Sequence, residues 1–132
     1  MRLRIVAFVC LSFLLTAALI AQEKGSDPSG VWFGDYGTSP QSRTEIQVML
    51  KWDGKVLTGA VVTEEDRLNL ENASFDPSTG AVHLEVTFRG RGAPGHGNTY
   101  HYIVDGKLEK DTITGIWHNE FDKGDFALKK IY

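Results

Sequence analysis

The chain has 132 residues, 14 Lys and Arg against 17 Asp and Glu for a formal charge of −3, 42% hydrophobic residues and one cysteine. That length supports one domain with a core but not two. The mild acidity argues against nucleic acid or an anionic membrane surface as the main partner, and a single cysteine excludes an internal disulfide.

Residues 1–21 have the layout of a secretory signal peptide. Arg2 and Arg4 lead, residues 5–21 are apolar apart from single Ser and Thr residues, and Gln22-Glu23-Lys24 restores polarity. Cleavage is expected after Ala21, with Ala18 as an alternative, and the competing reading is an uncleaved membrane anchor. Cleavage would place the protein outside the cytoplasm, periplasmic or secreted, with no stable membrane insertion. It would also remove Cys10, Arg2 and Arg4, leaving 111 residues in which 17 acidic residues face 12 basic ones, a net charge of −5. Residues 22–29 then form a polar tether, and residues 30–132 one domain.

Eight strands are predicted from residue 31 onward, and no helix. The first spans 31–36. The second, roughly 43–52, alternates Ile46, Val48, Leu50 and Trp52 with Glu45, Gln47, Met49 and Lys51, the period of two of a strand with one buried face. Asp53-Gly54 supplies a hairpin turn, and the chain returns through 55–62 with Leu57, Gly59 and Val61 on the inner face. A fourth strand starts at Leu68 and Leu70 and runs toward Phe75. Residues 76–80 turn the chain into a fifth, where Val82, Leu84, Val86 and Phe88 alternate with polar residues. The loop at 90–98, GRGAPGHGN, lacks the Gly-Lys-Ser/Thr of a phosphate loop; it is a hairpin tip or a lid. The sixth strand spans 99–104 and is expected to turn near Asp105-Gly106. The seventh spans 112–118, and the last, 125–130, carries Phe126 and Leu128 on one face.

Residues 56–61 and 112–117 echo one another. Each sets a large apolar residue two before a glycine and another two after it (Leu57, Gly59, Val61; Ile113, Gly115, Trp117). A glycine inside a strand marks a point of curvature or the seat of a bulky neighbour.

Short antiparallel strands joined by hairpin-length connections predict an all-β fold, an eight-stranded up-and-down meander barrel that hides its edges by closure, with a β-sandwich as the alternative. Gly30-Val31-Trp32, opening the first strand of such a chain, resembles the Gly-x-Trp start of lipocalins and related calycin barrels, and the length is similar to that of avidins. The resemblance implies a barrel with a pocket at one end and Trp32 packed across the other. Lys129 and Lys130 stand where lipocalins carry an arginine.

Candidate chemistry is sparse. His83, His96, His101 and His118 are spaced by 13, 5 and 17 residues, which matches no compact metal motif, so surface histidines are favoured over a zinc site at His96, His101 and His118. No cysteine would remain after cleavage, and no serine sits in a Gly-x-Ser-x-Gly turn. Glu64, Glu65, Asp66, Glu120 and Asp122 lie at predicted tips rather than across a cleft. Asn72-Ala73-Ser74 is formally a glycosylation sequon. No enzyme and no cofactor is expected.

The aromatic residues carry more information. Trp32, Tyr36, Phe88, Tyr100, Tyr102 and Trp117, with Phe126, are placed to converge on the sheet's interior, where they either pack a core or wall a pocket for a flat apolar or aromatic ligand. An outer strip of Val56, Ala60 and Val62, with Met49 and Ile116 expected beside it, could contact a partner protein or form a homodimer through residues 55–62. Two function classes follow: an exported barrel that carries or senses a small apolar molecule, or a protein-binding module with a packed core.

Overall fold

A computed structural model describes residues 27–89 and 99–132. The predicted signal segment 1–21 with Cys10, most of the tether, and the 90–98 loop with His96 lie outside the described residues. Among the described residues there are nine strands: β1 (Gly30–Ser39), β2 (Ser42–Trp52), β3 (Leu57–Val62), β4 (Arg67–Asn69), β5 (Asn72–Asp76), β6 (Ala81–Arg89), β7 (Thr99–Glu109), β8 (Thr112–His118) and β9 (Lys123–Lys130). They make one antiparallel sheet in the order β4-β3-β2-β1-β9-β8-β7-β6-β5.

The hairpin turning at Asp53-Gly54 forms as its alternation predicts. Trp52 pairs with Leu57 and Gln47 with Val62, while the Asp53 carboxylate accepts the Lys55 and Val56 amides at 2.8 and 2.7 Å and Gly54 takes φ +99°. Only a residue without Cβ adopts that last conformation without strain. Meander order then makes every other neighbour sequential except one, since β1 also pairs with β9, Trp32 opposite Lys130 and Tyr36 opposite Phe126. Joining the first strand to the last brings both margins, β4 and β5, to the same place.

Two expectations change here. The predicted fourth strand is two strands, because the chain breaks pairing partners at Leu70-Glu71. Leu70 N–H donates to the Gly59 carbonyl of β3 at 3.0 Å, and the next amide, Glu71, donates the other way to Glu85 of β6 at 2.9 Å. The strands therefore number nine, and the ladder does not close into a barrel, since β4 and β5 do not pair with each other. Residues of β3 and β5, and of β4 and β6, nevertheless come together across this seam.

The second change concerns Asp105-Gly106, which was expected to turn. β7 passes straight through it to Glu109, and the reversal falls at Lys110, with φ +56°, and Asp111. The reason lies across the ladder, where Gly106 pairs with Gly115, which in turn pairs with Phe126. A Cβ on Gly106 would come within 2.7 Å of the Phe126 ring, so the glycine is there to seat that ring rather than to turn the chain. The echoing glycine, Gly59, marks a close approach of backbones, because a Cβ there would collide with the Met49 carbonyl.

One face of the sheet supplies the core. Val48 and Leu50, Leu57 and Val61, Val82, Leu84 and Val86, Ile113 and Trp117, and Phe126 and Leu128 are all buried. A single sheet whose one apolar face packs against itself must curl, and this one does so around its own axis. At the end bearing the 53–56 and 110–111 turns, Trp32, Leu57, Phe75, Leu108 and Ile113 fill the interior. Trp52 meets Phe75 edge to face at 5.2 Å there.

Candidate functional site: an aromatic-walled cavity

The opposite end is not filled. A cavity of about 740 Å³ opens among the connections at 40–41, 63–66 and 119–122, walled by inward residues of eight strands. Tyr36 of β1, Tyr102 of β7 and Trp117 of β8 alternate onto this face and meet as a trio. Tyr36 stands edge-on to Trp117 at 5.4 Å and to Tyr102 at 6.2 Å, and Tyr102 lies tilted against Trp117 at 5.5 Å. Edge-on rings hold one another by their quadrupoles. Trp117 is fixed further by its Nε1–H, which donates to the Asp125 carbonyl at 3.1 Å. Burial in this wall pushes the Tyr102 phenol above its ordinary value, with Tyr36 reinforcing the shift.

The six aromatic residues singled out from sequence fall in three places. Tyr36, Phe88, Tyr102 and Trp117 line the cavity. Tyr100 stands just behind the lining and connects Phe88 at 6.4 Å, Tyr102 at 6.5 Å and the rim residue Phe121 at 5.5 Å. Trp32 is elsewhere. It is 0% exposed at the filled end, its Nε1–H donates to the Pro28 carbonyl at 2.9 Å, and the Lys130 ammonium lies 5.9 Å from its ring centroid. Its place is that of a plug, not of a pocket wall.

Sequence reasoning missed part of the wall. Ile46, Val61, Leu68, Leu70, Leu84 and Val104 also belong to its apolar lining, beside Phe126 on its glycine seat, which the sequence already places inward. The alternation of β2 and β6 names Ile46 and Leu84 as inward, but depth along the axis depends on register, which no local pattern carries. Phe121, 71% exposed at the β8–β9 tip, was read only as part of a turn.

Charged groups gather at the mouth, where Arg43, Glu45, Glu64 and Glu65 form part of the lining. Arg43 of β2 reaches over Gly37 to bind two carboxylates, Asp35 through Nε at 3.0 Å and Nη2 at 2.6 Å, and Asp125 of β9 through Nη1. These bonds tie β2, β1 and β9 together on the outer face; they raise the Arg43 pKa and hold the Asp125 carboxyl below its ordinary value. Glu120 accepts both the His101 amide at 2.7 Å and a contact from the His101 ring at 2.9 Å, which anchors the β8–β9 tip to the overhanging start of β7 and lowers the Glu120 carboxyl pKa. His101 and His118 thus occupy separate surroundings, and no cluster of three metal-ligating side chains occurs among the described residues.

The outer strip is also rearranged. Ala60 is 1% exposed, paired with Met49 and Asn69, whose longer side chains flank it. Ile116, 63% exposed, does not lie beside Met49. It pairs with Asp105 and Asp125 on the far side of the sheet. Among the described residues no helix is long and apolar enough to cross a membrane. No protein-family model and no curated protein matches the sequence.

Proposed function

We propose that this chain binds one small apolar or aromatic molecule in the cavity walled by Tyr36, Phe88, Tyr102 and Trp117, acting outside the cytoplasm as a carrier or sensor. The observation that carries the reading is the contrast within one sheet: aliphatic side chains and Trp32 fill one end, while at the other the rings face an opening of about 740 Å³. That volume falls within the usual range for small-ligand sites, and a mostly apolar wall with a few phenols suits a flat ligand oriented by one or two polar groups. Export rests on the composition of residues 1–24.

The same reading treats β4 and β5 as halves of one interrupted strand, which makes the sheet a calycin-like eight-stranded barrel with a break at Leu70-Glu71. Support comes from those two amides, which bond in opposite directions to β3 and β6 and so bridge the seam. Trp32, from the Gly-x-Trp opening, plugs the filled end as the lipocalin likeness implies.

The test begins with native mass spectrometry of the purified protein, followed by solvent extraction of any retained molecule and its rebinding. Quenching of tryptophan emission on rebinding is expected, because Trp117 lies in the wall. Tyr36→Leu, which keeps apolar bulk but removes the ring, should weaken binding roughly tenfold. Absence of any retained molecule, together with no emission change across a panel of flat apolar compounds, would overturn the proposal.

A further inference from the structure

The open margin β5 is only five residues long and pairs with β6 alone, from Asn72 opposite Glu85 to Asp76 opposite Ala81. On the outer face a chain of side chains reinforces it. Asn72 Nδ2 donates to Glu85 Oε2 at 2.7 Å, the same carboxylate oxygen meets His83 Nε2 at 2.7 Å, and His83 Nδ1 meets Asp105 Oδ1 of β7 at 2.6 Å. Both imidazole nitrogens therefore face carboxylate oxygens. A neutral ring has one N–H and one lone pair, so one of these contacts would set a lone pair against an anion. Only the imidazolium can donate to both.

We infer that protonated His83 is a pH-sensitive clasp that joins β6 to β7 and fixes the Glu85 carboxylate on which Asn72 of the margin strand β5 is held, and that the seam beside it loosens when the ring loses its proton.

The surroundings of His83 support this assignment. On β6 the neighbouring charge is Glu85. On β7 it is Asp105, with Lys107 one outer-face position further on and turned to Glu109 at 3.6 Å. On β5, Ser74 pairs directly with His83, and Asp76 is engaged by the Ser78 amide and hydroxyl within its own turn. Ile116 of β8, opposite Asp105, brings no charge. Of the other described histidines, His101 pairs with Thr87 and is held by Glu120 at the mouth, and His118 of β8 pairs with Ile103, one outer-face position along from Asp105. Two carboxylates thus act on one ring, and among the described residues no competing cation is bonded to either of them. The Asp105 bond first and the Glu85 bond second hold the His83 pKa above its ordinary 6.5, against a smaller opposing effect of burial, and His83 in turn lowers the Glu85 pKa. A pKa raised in the folded state stabilises fully below 6.5, and the stabilisation is lost as pH rises through the folded value. The ring is part-exposed, so its proton exchanges with solvent without unfolding.

Because β5 is a margin, it is the segment whose local opening depends least on the rest of the sheet. Behind the clasp, Ala73 pairs with Leu84, and Leu84 lines the cavity. The inference concerns the seam itself and holds whether or not the cavity takes a ligand.

Amide hydrogen exchange followed by NMR tests it on the intact protein, with imidazole nitrogen shifts read from the same samples. From about pH 6 to about pH 9, β5 amides paired with β6 should lose roughly three- to tenfold in protection relative to Ile113 of β8, with a midpoint that matches the His83 ring and lies above 6.5. His83→Gln should remove the step and leave β5 at its weaker level throughout. Asp105→Asn should move the ring's midpoint down toward the ordinary histidine value. A ring that titrates at or below 6.5, β5 protection that follows Ile113 at every pH, or a step that persists in His83→Gln would overturn the clasp.

Discussion

The two ends of this sheet are built from the same strands by the same alternation, yet one is solid and the other open. At the solid end Trp32, Leu57, Leu108 and Ile113 are each at most 4% exposed, and Trp32 satisfies its only donor on Pro28. At the open end Tyr36, Tyr102 and Trp117 meet at ring separations of 5.4 to 6.2 Å around free volume. Edge-to-face rings occur at both, since Trp52 meets Phe75 at 5.2 Å in the solid end, but there Trp32 lies across the interior within the same buried cluster as Leu57, Leu108 and Ile113. The difference teaches that the strand pattern decides which residues point inward, and that a side chain laid across the axis, as Trp32 is, decides whether the interior fills.

Truncation at the two ends sharpens this contrast, and the solid end should lose more. Trp32→Ala removes the largest fully buried side chain and leaves the Pro28 carbonyl without its donor, so a loss of about 3–5 kcal/mol is expected in urea unfolding. Tyr102→Ala, from a ring that already borders open volume, should cost no more than about 2 kcal/mol in the same measurement. Equal losses would mean that the open end is packed in solution and the cavity closed.

Next in size is the seat of Phe126. Gly106→Ala places a methyl within 2.7 Å of the Phe126 ring and 2.8 Å of the Thr114 carbonyl, so the ring must rise into the cavity or β7 must shift away from β8. A cost of about 1–3 kcal/mol is expected. Pairing the change with Phe126→Leu should recover part of it, because the shorter side chain no longer needs the seat. A double variant no more stable than Gly106→Ala alone would assign the strain to the Thr114 backbone instead.

Much of this architecture is written in local sequence. The alternation on β2 and β6 correctly assigns Val48, Leu50, Val82, Leu84 and Val86 to the inner face, and the shared Leu-x-Gly-x-Val and Ile-x-Gly-x-Trp pattern marks two strands whose flanking residues are all buried. Other features are set by partners distant in sequence. Asp53-Gly54 and Asp105-Gly106 are the same dipeptide, and only the first turns, because only the second faces a glycine and an aromatic ring across the ladder. The break at Leu70-Glu71 was hidden because its residues continue a strand-like pattern, and what divides them is the exchange of one hydrogen-bonding neighbour for another. Four of six candidate aromatic residues reach the cavity. Trp32 does not, since inwardness is legible from period two, but position along the axis follows from register.

The smallest expected effect lies on the outer face of the open end, where Arg43 binds Asp35 and Asp125 across three strands. All three groups are part-exposed, so water and salt screen the attraction, and the ion pairs serve more to fix register near the mouth than to hold the fold. Arg43 keeps the Asp125 carboxyl below its ordinary 3.8, so whatever stability this bond adds is present above that value and lost as pH falls through the lower folded one. Arg43→Met should therefore lower the melting temperature only slightly at neutral pH and low salt, and the difference from the unaltered protein should vanish at about 1 M salt or in strong acid. A deficit that persists under both conditions would show that the side chain acts through its packing over Gly37 rather than its charge, and would make the rim of the cavity as dependent on contact as the plugged end.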